Sequence, residues 1–394
     1  MKNSMRGTAA GAGVRRMIRV GILVAVGGTV PGLSSTASAQ TCADHGIPVN
    51  GYPKWQERAM MVYTNACRIA PVAYRNTFFS YATNILQPSV YPAVPPLQWQ
   101  LGLNQSARAH STDLATTTGC GFGHTSCNGT SSSTRIGSYY PGYAAIGENI
   151  AAGYFDPQSA INALILDNVN NFPAADNSQN DGHRRNIMSS TFTQFGNGYA
   201  TGTNTYTRYW TQDFGKPSGT TTVCSPIPSG SHHAIGGEVV FLVNFYDPAN
   251  ATPRSANIVI NGASTPLNLY IGTAARGTYR YALPTWVGIG CRSYHYEITD
   301  AAGTLHRYPT RGELKTFGEN GCSEEYTPNS INPPPPPPPC PADFNGSGGS
   351  TVDDLFAYFN AWFAGDVRAD FNGAGGVTVD DLFGYINAWF TGCP

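Results

Sequence analysis

Phe122-Gly-His124-Thr-Ser126, Gly147-Glu148-Asn149-Ile150 and Gly182-His183-Arg184-Arg185-Asn186-Ile187-Met188 are the segments whose reading decides the fold of the first half of this chain. A fourth, Tyr209-Trp210-Thr-Gln-Asp213-Phe214-Gly215, closes the series. The first three each place an imidazole or a carboxylate close to a glycine, as a site assembled from distant segments requires. Helix and strand signals alternate around them. Trp55–Ile69 reads as a helix ended by Pro71, and residues 97–114 as a second. A third starts at Asp156-Pro157, an N-cap followed by proline at the first helical position, and runs to about residue 169. Strands are expected at residues 194–200 and 206–214.

In this order and spacing the four segments resemble the CAP superfamily (cysteine-rich secretory proteins, antigen 5, pathogenesis-related 1), especially its bacterial branch. The resemblance covers roughly residues 57–215 and implies an α-β-α sandwich with two histidines and two acids converging in a central cleft. Carried over by segment, these are His124, Glu148 and His183. The fourth family residue is a Glu on the preceding helix, a few residues after a Trp. Here Leu164 takes the Trp position and Asp167, one methylene shorter, the Glu position.

Two imidazoles and two carboxylates in one cleft shift one another's pKa values. They suit Zn²⁺ or another divalent metal with one position left for water. Without metal the same atoms form a hydrogen-bonded network that fixes the fold, and with a bound water they suit a metal-assisted hydrolase, a peptidase or esterase using Glu148 with His124 and His183. No His-Glu-x-x-His and no Gly-x-Ser-x-Gly occurs. Ser126 reads as a loop-shaping residue and His110 as a helix-packing residue. His232 and His233 read as solvated in a Gly/Ser loop. Residues 176–181 form an acidic surface loop, with Ca²⁺ as its alternative use.

Arg15, Arg16 and Arg19, an apolar stretch at residues 20–33 and Ala37-Ser38-Ala39 read as an export signal over residues 1–39, so no transmembrane span is expected in the mature chain. The net charge of −1 and only four lysines offer no basic stripe for nucleic acid. Nine cysteines in an exported, extracellular or cell-surface chain imply disulfides. Cys120–Cys127, Cys291–Cys322 and Cys340–Cys393 are expected, while Cys42, Cys67 and Cys224 stay unassigned.

After the CAP-like region, placed at residues 40–217, the pattern changes to period two over residues 218–331. Strand-like runs at 238–246, 256–260, 267–271, 277–283 and 293–300, separated by turns such as Asn261-Gly262, predict an immunoglobulin-like β-sandwich. Tyr294, Tyr296 and Ile298 form its inward face. Residues 332–339, with seven consecutive prolines, are a stiff polyproline linker.

Residues 340–394 carry a tandem repeat offset by 27 residues, Asp343-Phe-Asn-Gly recurring as Asp370-Phe-Asn-Gly. Each copy continues into a helix with an apolar stripe: Val352, Leu355, Phe356, Phe359 and Trp362, then Val379, Leu382, Phe383, Ile386 and Trp389. The loops follow the EF-hand scheme. The first offers Asp343, Asn345, Ser347, the Gly349 carbonyl, Thr351 and Asp354, with Gly348 at the turn. The second offers Asp370, Asn372, the Gly376 carbonyl, Thr378 and Asp381, with Gly375 at the turn and Ala374 supplying no oxygen. A duplicated half-EF-hand of this kind resembles a cysteine-bracketed dockerin, which implies calcium and a cohesin-like or cell-surface partner.

The expected class is α+β: a CAP-type sandwich, a β-sandwich and a paired-helix dockerin-like module. The cleft is expected to take a lipid, glycan or peptide ligand and a divalent metal. The hydrolase and a structural adhesin with an inert cleft are the competing readings.

Overall fold

The computed structural model describes residues 42–284, 291–316, 322, 324–328, 342–345, 350–372 and 376–392. The export signal, the polyproline linker, Cys340, Cys393, Ser347, Gly348, Gly349, Ala374 and Gly375 lie outside the described residues. The chain forms two units, one of residues 56–223 and one that joins residues 41–55 to residues 224–394.

The first unit contains α1 (Trp55–Ile69), α2 (Pro71–Phe78), β1 (Gln98–Trp99), α3 (Leu101–Thr116), α4 (Ser132–Tyr139), β2 (Tyr143–Ala152), α5 (Pro157–Leu166), α6 (Gly182–Met188), β3 (Gln194–Thr201) and β4 (Arg208–Pro217). Its sheet runs β1-β3-β4-β2, antiparallel except for the β1–β3 pair. Helix α3 lies directly on β3, because a Cβ on Gly196 would stand 2.0 Å from the Asn104 backbone nitrogen. On the other face Gln212 of β4 reaches Thr64 of α1. Successive strand residues point to opposite faces. The sheet is therefore covered on both sides.

The expected starts and ends shift where side chains have other work. The second helix begins at Leu101, after Gln98 and Trp99 have paired with β3, and the Gln100 side chain caps it by accepting from Leu103 N. Asp156 caps α5 as expected, through Ser159 N. That helix stops at Leu166, short of residue 169, because Asp167 turns left-handed (φ 49°) and aims its carboxylate at α6.

The second unit holds β5 (Gly230–Ile235), β6 (Glu238–Tyr246), β7 (Ser255–Ile260), β8 (Ala263–Pro266), β9 (Asn268–Gly272), β10 (Arg276–Pro284), β11 (Ser293–Thr299), β12 (Leu305–Tyr308), β13 (Glu313–Lys315) and β14 (Tyr326–Thr327). One sheet is ordered β5-β6-β10-β9 and the other β14-β13-β11-β7-β8, with β12 on β11. Phe241, Val243 and Phe245 of the first share a core with Ile258, Tyr294, Tyr296 and Ile298 of the second. The Asn261-Gly262 turn joins β7 to β8 with both residues at positive φ, as a tight hairpin demands.

Two expectations need correcting here. His232 and His233 are not solvated: they lie in β5 and are fully buried, and His232 Nδ1 meets the Tyr294 hydroxyl at 2.8 Å. The first unit does not begin at residue 40, because residues 42–55 are held by the sandwich. Cys42 is bonded to Cys224, and His45 Nε2 donates to the Ile227 carbonyl at 2.8 Å. Cys120–Cys127 and Cys291–Cys322 pair as expected, and Cys67 is buried and free.

In the tail, α7 (Val352–Phe363) and α8 (Val379–Thr391) share a small core of their own. Its centre is the stacked pair Tyr358–Tyr385, ring centroids 3.8 Å apart, and of the expected stripe Leu355, Phe359, Trp362, Leu382 and Trp389 pack against it. Val352, Phe356, Val379 and Phe383 are 55–60% exposed. The tyrosines win the interior because their hydroxyls find buried acceptors, Ala369 O at 2.8 Å and Ala342 O at 3.1 Å. Trp362 donates to Thr378 O and Trp389 to Thr351 O, so each repeat clasps the other.

Candidate functional site

Strand β2 presents Glu148 to one face of the sheet and Asn149 to the other. Glu148 is 6% exposed. One oxygen accepts from His124 Nδ1 at 2.8 Å, and the other takes a short contact from Arg135 Nη2. Arg135, on α4, also donates to Ser126 Oγ at 2.7 Å and to the His124 carbonyl at 3.3 Å. Ser126 thus shapes the loop, as expected, by holding the guanidinium that holds Glu148. Burial alone would raise the Glu148 carboxyl, but the His124 hydrogen bond and the charges of His110, Arg135 and His124 keep it below its ordinary value.

The second pair is His183–Asp167. His183 Nδ1 makes a short contact with Asp167 Oδ1, and Oδ2 accepts from Arg184 N at 3.0 Å. Asp167 is therefore turned inward toward His183 from its left-handed position at the end of α5. Both side chains are buried, and His183 Nε2 has no hydrogen-bond partner. The Arg184 guanidinium staples the loop behind it, bonding the Ile165 and Ala174 carbonyls and lying 2.9 Å from Asp176.

The four expected residues thus form two imidazole–carboxylate pairs. No three of them bring ligand atoms within 4.8 Å of one another. Among the described residues the one group that does is Asp113, Cys120 and Cys127, whose cysteines are already bonded to each other. The acids of the 176–181 loop point inward: Asp176 accepts from Leu86 N and Gln87 N, and buried Asp181 from Tyr91 Oη and Asn177 N.

Three neighbours complete the Glu148 side. His110 is fully buried, its Nε2 donating to the Gly123 carbonyl at 2.9 Å. Burial lowers its pKa from 6.5 to about 4, against the pull of Glu148. Arg135 carried no sequence signal, since it falls in a segment without a motif. Asp213 was legible in part. It sits in the fourth segment, and the β2–β4 register places it opposite Glu148. Burial, then the Glu148 charge, pushes its carboxyl well above the usual range.

In the tail, Asp354 Oδ1 accepts from Asn345 N at 2.9 Å and Oδ2 from Thr351 N and Oγ1 at 2.8 and 2.7 Å. Asp381 repeats this with Asn372 and Thr378. A carboxylate offers about four lone-pair sites. In both repeats the loop's own N–H and O–H groups engage both oxygens.

No helix among the described residues is long and apolar enough to cross a membrane. Residues 92–214 match the model of the cysteine-rich secretory protein family, CAP. No curated protein matches the chain. Among solved structures, an extracellular protein containing a SCP domain from Bacillus anthracis is 23% identical over 34% of this chain and 40% of that one, with a TM-score of 0.24. An outer surface protein of Borrelia burgdorferi is 19% identical over 32% and 80%, with a TM-score of 0.25. A venom allergen-like protein of Schistosoma mansoni is 14% identical over 42% and 90%, with a TM-score of 0.26. The segment that matches the CAP family model, residues 92–214, contains His124, Glu148, Asp167 and His183.

Proposed function

We propose that this is an exported CAP-domain protein whose cleft holds a divalent metal, Zn²⁺ in the first instance, on His124 and His183 as part of a ligand-binding site. The observation that carries the reading is the way both imidazoles are held. Each gives its Nδ1 proton to a carboxylate, Glu148 or Asp167, which leaves the lone pair on Nε2. A carboxylate behind a metal-ligating histidine fixes its tautomer and raises its basicity. The unpartnered, buried Nε2 of His183 is the polar atom a metal would satisfy. On this reading Glu148 and Asp167 orient the ligands rather than bind the ion. When bound, the metal supplies a Lewis-acidic contact for an oxygen of the ligand. The three disulfides suit an oxidising compartment.

Calorimetric titration of Zn²⁺ into the full chain tests this. Both His124→Ala and His183→Ala should remove most of the heat, because one ion needs both rings. Full heat in either variant would sink the two-histidine site.

The tail is the attachment module. Phe356 and Phe363 are exposed, and Phe383 and Phe390 repeat them, on a segment with seven Asp and one Arg. Cells producing a chain truncated before residue 332 should release it to the medium. Unchanged surface retention would contradict the assignment.

A further inference from the structure

Three motif residues have no part in holding a metal: Asn149, Asn186 and Gln212. They meet in one buried network. Asn149 Nδ2 donates to the His183 carbonyl at 3.1 Å and to Gln212 Oε1 at 3.1 Å. Asn186 Nδ2 donates to Asn149 Oδ1 at 2.9 Å and to the Glu148 carbonyl at 3.2 Å. Gln212 Nε2 continues to Thr64 Oγ1 at 3.0 Å, which ends on the Met60 carbonyl at 2.8 Å. Every donor of the three amides except one on Gln212 has a named acceptor, so a flipped amide would set donor against donor.

The network has a particular place. It bonds the backbone of Glu148, which carries one imidazole–carboxylate pair, and the backbone of His183, which carries the other. Glu148 and Asn149 point to opposite faces of β2, so side-chain contact from Glu148 does not fix α6. The amides do. Asn149 and Gln212 are fully buried, and Asn186 is 9% exposed. Buried networks of this sort specify one geometry when all members are satisfied.

We propose that Asn149, Asn186 and Gln212 are positioning residues that lock the strand bearing Glu148 to the helix bearing His183, and so set the spacing of the two imidazoles. The proposal rests on the metal reading above for its main readout. It goes beyond it in assigning the affinity to residues that touch neither ring.

The experiment is Zn²⁺ titration of the full chain carrying Asn186→Ala or Asn149→Ala. Loss of outer-shell support lowers metal affinity about 10- to 100-fold, and that loss is the expected result. The control is Ser111→Ala, which removes buried bonds to Gly198 and Thr211 elsewhere on the sheet and should lower the melting temperature without changing the affinity. Should Asn149→Ala fail to fold, Asn186→Ala carries the test, since Asn186 is the least buried of the three. Variants that bind as tightly as wild type, or a control that weakens binding as much, would overturn the proposal. If wild type takes no Zn²⁺, the metal reading fails, and the positioning role is judged on the metal-free chain. The Cε1–H signals of both His124 and His183 should then move in Asn186→Ala. Movement of His183 alone would refute it.

Discussion

Replacing His110 with Gln should flatten the acid limb of the first unit's stability curve. His110 is buried and neutral, its Nε2–H on the Gly123 carbonyl and its Nδ1 without a partner. Its pKa falls from 6.5 to about 4 on folding. Between those values the unfolded chain binds a proton that the folded chain refuses, so stability is full above the unfolded value and is lost as pH falls toward the folded one. Each tenfold ratio is worth about 1.4 kcal/mol, so the loss from this group comes to about 3 kcal/mol. The charged neighbours do not mask it. Glu148, with a lowered pKa, loses its own contribution only below 4.5, and Asp213, whose raised carboxyl titrates in the opposite sense, is common to variant and wild type. His45 titrates in the same direction but in the second unit, and cancels when variant and wild type are compared. Gln can keep the bond to Gly123 through its amide and carries no titrating proton. Urea unfolding followed by tryptophan fluorescence, repeated from about pH 7 to about pH 4.5, should show the wild type losing most of that 3 kcal/mol relative to His110→Gln. Parallel curves, or a His110 ring that titrates near its unfolded value by NMR, would refute the reasoning.

Arg135→Leu should cost about 3–5 kcal/mol, since it leaves the buried Glu148 carboxylate with one fewer cation, and urea midpoints will read it. Asp213→Asn should gain on wild type as pH rises: a raised carboxyl contributes its stability at low pH and loses it as pH climbs to the folded value, and melting in buffers of increasing pH would expose a constant offset instead. Gly196→Ala forces a Cβ against the Asn104 backbone and should cost upward of about 3 kcal/mol, so an unchanged melting temperature would contradict the α3–β3 contact. Millimolar Ca²⁺ should raise the tail's melting midpoint in the full chain, with Asp343→Ala abolishing more of the rise than Asp370→Ala. Equal losses would make the two loops alike.

Much of this was legible because local chemistry and tertiary need coincide. Trp55–Ile69, the Asp156 cap and Glu238–Tyr246 emerge with the boundaries their residues dictate. Where the two part, the sequence is silent. The end of α5 depends on Asp167 reaching His183, which no propensity encodes. The burial of His232 depends on packing against Tyr294 of the other sheet, 62 residues away. In the tail, helical spacing alone does not choose between a Val/Phe stripe and one centred on Tyr358 and Tyr385; the carbonyls of Ala342 and Ala369 decide it. The motifs offered four candidate residues but not their arrangement as two imidazole–carboxylate pairs. Nor was Arg135 visible, because its value lies wholly in what it touches.

Crystals grown with Zn²⁺ and measured at the zinc absorption edge put the question most directly. The two-histidine reading requires an anomalous peak bonded to Nε2 of both His124 and His183, with Glu148 and Asp167 still on the Nδ1 side. A peak on one ring only, a peak held by the carboxylates, or no peak in the cleft would contradict it.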